Sequence, residues 1–229
     1  RDWSSDVCSS DLGSFDRTMV EILYEANKQR GNFASSLVQL KEHEQSVLKK
    51  EGNINFDKIR LDKKACYYMG HVQAPTSAQR KWQFDTSHPF ETISWMVFHN
   101  GIITNEEKIR KKYLPYIFNP VDSALIVNLI QSFMEKDRSK KPNPIKYIKK
   151  ALELLEGSFA LSILDCDTNE LYIARVGSAL HFNNDGCFST MGGNNYKEVP
   201  EGVIFRLKKR TNRFNKVGVF KYTSPFLFL

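Results

Sequence analysis

The sequence has few cysteines: four in 229 residues, Cys8, Cys66, Cys166 and Cys187, with no Cys-x-x-Cys pair among them. That spacing excludes a zinc-ribbon arrangement and a disulfide framework, so no metal is expected, and a reducing compartment, the cytoplasm, is the natural setting. No apolar run approaches the ~20 residues that span a bilayer, and no cationic stretch followed by an apolar one marks a secretion signal. His-x-x-x-His spacing, a phosphate-cradling glycine loop and a nucleophile-elbow serine are all missing. The familiar metal, nucleotide and serine-hydrolase signatures are therefore excluded, and no cofactor is expected. Also missing is an initial methionine: the chain opens on Arg1.

What is present is enough apolar matter for a core. Hydrophobic residues make up 41% and aromatics 12%, which excludes global disorder. The formal charge of +7 could suit an acidic partner or nucleic acid. Its lysines cluster in helical stretches such as Lys108 to Lys112 and Lys146 to Lys150, so a solvated helix face accounts for them and nucleic acid is not the expected partner.

Residues 1–12, RDWSSDVCSSDL, are polar, aperiodic and unlike the rest of the chain. They read as a translated sequencing adapter and are set aside, Cys8 with them. Thr18 to Gln29 then has apolar residues at helical spacing, and Arg30-Gly31 ends the helix, Gly31 as a left-handed cap. Ala34 to Leu40, Ala65 to His71 and Ile93 to His99 read as strands, with a charged stretch from Leu40 to Asn55. Helices are expected from Asn105 to Tyr113, from Asp122 to Met134 and from Pro144 to Leu155, with Asn105 and Asp122 as N-caps. Ser158 to Leu164 and Leu171 to Arg175 pair across a turn, and short strands are expected near Leu180 to Phe182 and Val203 to Leu207. Strands, helices and strands in blocks give an α+β fold with helices layered on antiparallel sheets.

Two local features could carry chemistry. Phe98-His99-Asn100-Gly101-Ile102-Ile103 places Asn-Gly between apolar runs, the strongest short hairpin signal. Such a turn also sets the Asn100 amide beside the Gly101 N–H as donors for a developing oxyanion. Gly70-His71-Val72-Gln73-Ala74-Pro75-Thr76 runs a strand into a proline-broken loop, with His71 either a satisfied core histidine or a base.

In order along the chain stand Arg30-Gly31, Gly70 to Thr76, His88-Pro89-Phe90, His99 to Ile103 and Asp122-Ser123. Gly157 to Leu161, Leu171 to Arg175 and Pro200 to Ile204 complete the series. Together they resemble the class II glutamine amidotransferases, over about Gly13 to Leu207. The resemblance implies an N-terminal nucleophile hydrolase fold, a four-layer αββα sandwich. It divides the chain into residues 1–12 (adapter-like), residues 13–207 (the amidotransferase domain, its catalytic cysteine missing) and residues 208–229 (a basic tail, read as a solvated terminus).

In that family an N-terminal cysteine attacks the glutamine side-chain amide with its own α-amine as base. Gly13-Ser14-Phe15 looks like the end of the opening motif, which puts the nucleophile just upstream; Cys8 is one residue out of register and has no free amine. By the same resemblance Asn100 and Gly101 form the oxyanion hole, Asp122 and Thr76 hold the substrate α-ammonium and α-carboxylate, and Arg30 supports the nucleophile. Gln73 stands where the family commonly has arginine, and a neutral amide cannot replace a bidentate guanidinium at equal strength. The implied partners are glutamine and an ammonia-accepting synthase. Two other readings stay open: a non-catalytic binding module of this fold, and a related cysteine hydrolase acting on another amide.

Overall fold

Strands buried on both faces set the architecture. A computed structural model describes residues 10–42, 44–62, 64–74 and 81–225. The chain runs β1 (Ser10–Ser14), α1 (Arg17–Asn27), β2 (Ala34–Leu40), β3 (Gln45–Glu51), β4 (Tyr67–Gln73), β5 (Phe90–Glu91) and β6 (Trp95–Ile103). Three helices come next: α2 (Glu106–Tyr113), α3 (Asp122–Glu135) and α4 (Pro144–Leu152). The rest is β7 (Gly157–Asp165), β8 (Glu170–Val176), β9 (His181–Phe182), β10 (Phe188–Ser189), β11 (Lys197–Glu198), β12 (Val203–Lys208) and β13 (Arg213–Val219).

All strand pairs are antiparallel and form two sheets. The first has seven strands in the order β11-β9-β10-β1-β4-β2-β3; the second has six in the order β13-β12-β8-β7-β6-β5. Alternate side chains of β2, β4, β6 and β7, among them Val38, Met69, Phe98 and Leu164, fill the layer between the sheets. The opposite face of the second sheet buries Trp95, Val97, Leu161 and Ile163 against α3 and α4. The outer face of the first sheet packs Leu12, Leu37 and Val72 against Val20, Leu23 and Tyr24 of α1. The result is the expected αββα sandwich, with β6 and β7 inside the second sheet.

Several local expectations are corrected. Asn100-Gly101 is not a turn: β6 runs unbroken from Trp95 to Ile103, with Asn100 opposite Ala160 and Gly101 opposite Phe159. Gly101 serves a close approach instead, with φ +144° and an ideal Cβ only 2.1 Å from the Ser158 carbonyl oxygen. Gly31 is extended (φ 178°), so it is no left-handed cap; a Cβ there would lie 2.5 Å from the backbone of Gln73 and Ala74. Asn105 occupies the N-cap of α2 without capping it, because its amide donates to Leu154 O and accepts from Glu156 N, tying the helix to the start of β7. Asp122 is the first residue of α3 and Val121 the cap.

The charged stretch after Leu40, to which the sequence assigns no element, contains β3, an edge strand that carries Lys49, Lys50 and Glu51. The basic tail is not simply solvated: its residues 213–219 form β13, paired along β12 with Phe214 buried. Ser10, Asp11 and Leu12, set aside with the adapter-like segment, form the head of β1 between β4 and β10. Strand pairing uses backbone groups, so this position accepts side chains of any origin.

Candidate active site

The same alternation that packs the intersheet layer places polar groups at one end of it. On β4, Tyr67 and Met69 face inward among apolar neighbours, and His71 and Gln73 continue that face. On β2, Ser36 precedes the inward Val38 and Leu40; on β6, Asn100 comes after the inward Met96 and Phe98. Register aligns Ser36 and Asp11 on either side of His71, making a lateral polar row across β2, β4 and β1. All of these are buried. His71 Nδ1 lies 2.6 Å from an Asp11 carboxylate oxygen. Ser36 Oγ, His71 Nε2, Gln73 Oε1 and Asn100 Oδ1 have no hydrogen-bond partner among the described residues. Buried polar atoms without partners are rare in folded proteins and concentrate where a ligand completes them.

From His71 a chain of contacts crosses to the second sheet. Its ring stacks on His88 at 4.0 Å between centroids. His88 Nε2 lies 3.1 Å, and His99 Nδ1 2.9 Å, from the hydroxyl of Ser123 at the start of α3. Ser123 has one proton to give and three neighbours to receive it, with Asp122 Oδ1 at 3.3 Å, so at least one of the two imidazoles donates to its oxygen. The other Asp122 oxygen accepts from Ile103 N at 3.0 Å, on β6 beyond the end of β5. Ser123 is thus a hub to which the sequence assigns no role; its only signal there is its place directly after Asp122.

The residues singled out from sequence gather mostly at this polar end. Asn100 and Gln73 point into the intersheet layer from opposite sheets, and Gly101 adjoins Asn100 on β6. Asp122 sits at the open edge of β6, tied to its backbone and partly exposed. Arg30 ends the short turn Lys28–Arg30 after α1, and Gly31 packs on the backbone of Gln73 and Ala74. That close approach brings the Arg30 corner to the end of β4. Thr76 lies outside the described residues, as does Cys8.

Cys187, which is buried, and Cys166, which is partly buried, are poor nucleophiles. Cys187 lies beside Ser14, and burial pushes its thiol up. Burial likewise pushes Cys166 up to about 12. Neither carries the thiolate character that attack requires. Cys66 is exposed ahead of β4, at the other end of that strand from Gln73.

Residues 85–179 match a family model described as glutamine amidotransferase domain. Glutamine–fructose-6-phosphate aminotransferase (isomerizing) of Listeria innocua is 30% identical over 154 residues, covering 65% of this chain and 23% of that protein. The glutamine phosphoribosylpyrophosphate amidotransferase of B. subtilis superposes with a TM-score of 0.68 at 17% identity, over 92% of this chain and 49% of that one. The solved allosteric regulatory enzyme of purine biosynthesis gives 0.70 at 18%, over 92% and 48%. The chain is therefore similar to glutamine amidotransferase domains over residues 85–179 and shares its fold with the two solved proteins. It spans about a quarter of the curated relative's length and about half of the solved chains.

Proposed function

We propose that this glutamine amidotransferase domain hydrolyses the side-chain amide of glutamine with an N-terminal cysteine at the head of β1, and releases ammonia to an acceptor enzyme. One observation carries the reading: β1, the strand such a cysteine would head, lies in the middle of the first sheet and packs against β6, which bears Asn100 and Gly101. A thiol there would attack the amide carbon while its α-amine takes the proton, needing no histidine base. The Asn100 amide and the Gly101 N–H would hold the oxyanion. Thr104 N bonds to Glu156 O on the β7 side, and Ile103 N turns to the open edge; strand alternation sends the Gly101 N–H to that same edge. Ammonia then leaves, and water hydrolyses the thioester to glutamate.

Asp122, at the same edge, would bind the α-ammonium, Thr76 and Gln73 the α-carboxylate, and Arg30 would brace the nucleophile. No cofactor or metal enters these steps. A cytoplasmic setting suits a thiol enzyme, and among the described residues no helix is long and apolar enough to cross a membrane.

As written, the polypeptide has no cysteine with a free α-amine and should not release ammonia from glutamine. Replacing residues 1–12 with a processed Cys-Gly-Ile-Phe start should produce glutaminase activity. Ammonia release from both forms is the test: equal rates would sink the N-terminal cysteine. No release from either would favour the binding module or the hydrolase of another amide, readings that the buried, neutral Gln73 supports.

A further inference from the structure

Between α2 and α3 the chain reads Leu114-Pro115-Tyr116-Ile117-Phe118-Asn119-Pro120-Val121. Leu114, Ile117 and Val121 turn inward onto the helix-layer core, while Tyr116 and Phe118 are 83% and 88% exposed. The segment is well tethered. Ile117 N donates to Leu114 O at 3.1 Å, and the Arg110 guanidinium reaches Ile117 O at 3.4 Å and Val121 O at 3.0 Å. Asn119 accepts from Val121 N and donates to Asp85 O, gripping the segment that leads to His88. Two prolines stiffen it further.

Two aromatic rings are thus held out in water on an ordered backbone. Burying each ring would take a large apolar surface out of water, and nothing in the fold recovers that gain. Exposed rings on an ordered support are the usual anchor of an interface, because little entropy remains to be lost on docking. Phe84, half exposed, stands one residue from the Asn119 contact and extends the patch. The flank is basic: Lys111 and Lys112 at the end of α2 are exposed, as is Lys108. A second copy of the chain would set lysines against lysines. An apolar pocket with an acidic rim would match.

We propose that this loop, with Tyr116 and Phe118 as anchors, docks the enzyme or domain that consumes the ammonia, through an apolar pocket rimmed by carboxylates. The proposal rests on the glutaminase reading. Its last residue, Val121, directly precedes Asp122, so a docked acceptor would sit at the rim of the site, where ammonia emerges. The partial span of the relatives agrees with an acceptor outside these residues, on the same polypeptide or another.

The test uses the full natural coding chain, with p-benzoylphenylalanine at position 118 and, as control, at the equally exposed Ile93. Irradiation should join position 118, and not 93, to one apolar segment with flanking Asp or Glu in an ammonia-consuming enzyme domain. Crosslinks to a second copy, to nucleic acid, to scattered sites or to nothing would overturn the proposal. In parallel, Y116S/F118S should leave glutamine hydrolysis unchanged while lowering glutamine-dependent amination by the crosslinked acceptor about thirtyfold, the cost of a hot-spot pair. Unchanged amination would overturn the docking role. Absence of hydrolysis in the unsubstituted natural chain would overturn the glutaminase reading and the proposal with it, whereas hydrolysis without the crosslink would overturn the proposal alone.

Discussion

The layer between the two sheets has two ends built to opposite rules. At one, Leu40, Tyr67, Met69, Met96 and Leu164 pack against one another, and the Tyr67 hydroxyl donates to Gly186 O. At the other, Ser36, His71, Gln73 and Asn100 each hold a polar atom with no partner among the described residues. The same strands serve both, within a few residues of each other. The apolar end stabilises the sandwich, and the polar end gives up stability for atoms prepared to meet a ligand.

Substitutions at the two ends should therefore separate stability from activity. The largest effect is expected at the apolar end: Leu164→Ala should lower unfolding free energy by about 3 kcal/mol, in the usual range for a fully buried leucine. Urea melts would show it; a loss below about 1 kcal/mol would mean that this end is not the stabilising one. At the polar end, Asn100→Ala in the restored protein should reduce kcat by roughly 10²–10³ with little change in the urea midpoint. A lowered midpoint with intact kcat would reverse the assignment.

Asp122→Asn is a finer probe, because the amide keeps an oxygen for Ile103 N while losing the charge. KM for glutamine should rise more than kcat falls, and stability should stay within about 1 kcal/mol. Equal KM would remove Asp122 from substrate binding. Gln73→Arg should tighten glutamine binding modestly if free glutamine is the substrate, and weaken or abolish activity if another amide is.

The smallest effect concerns Lys49, which reaches from β3 to Glu91 at 3.3 Å and lies over the Phe84 ring, joining the open edges of the two sheets. Burial holds its ammonium below the ordinary lysine range. A lowered lysine pKa disfavours the charged folded state below the folded pKa, and the cost fades as pH rises towards the unfolded value. Lys49→Met should thus be slightly more stable than the parent at pH 7, and that advantage should shrink as pH rises into the alkaline range. An advantage that grows with pH would contradict the burial argument.

Much of this is legible in the sequence, and the failures have physical causes. Ala34–Leu40 is legible to the residue because it is a short segment with few charges, buried on both faces and paired on both sides. β3 and β13 are not, because edge strands carry charged residues, the same composition that marks a loop. Asn100-Gly101 reads as a turn on local preference; the glycine is there for Ser158, a contact between strands that no short window contains. The site is legible as a set of residue types in order. Its wiring through Ser123, and the polar row on β4, depend on register and emerge only once the strands are paired.

The central place of β1 has a further consequence, for how the protein is made. Leu12 pairs with Gly70 on one side and with Ser189 on the other, so β1 keeps one edge open until β10 has left the ribosome. Such long-range closure is slow and leaves an unpaired edge to guard during synthesis. The head of that strand is also where the proposed nucleophile must be, so the strand that carries it is held on both sides only when β10 closes on β1. Completing the sheet and completing the site would then be one event, and a late one.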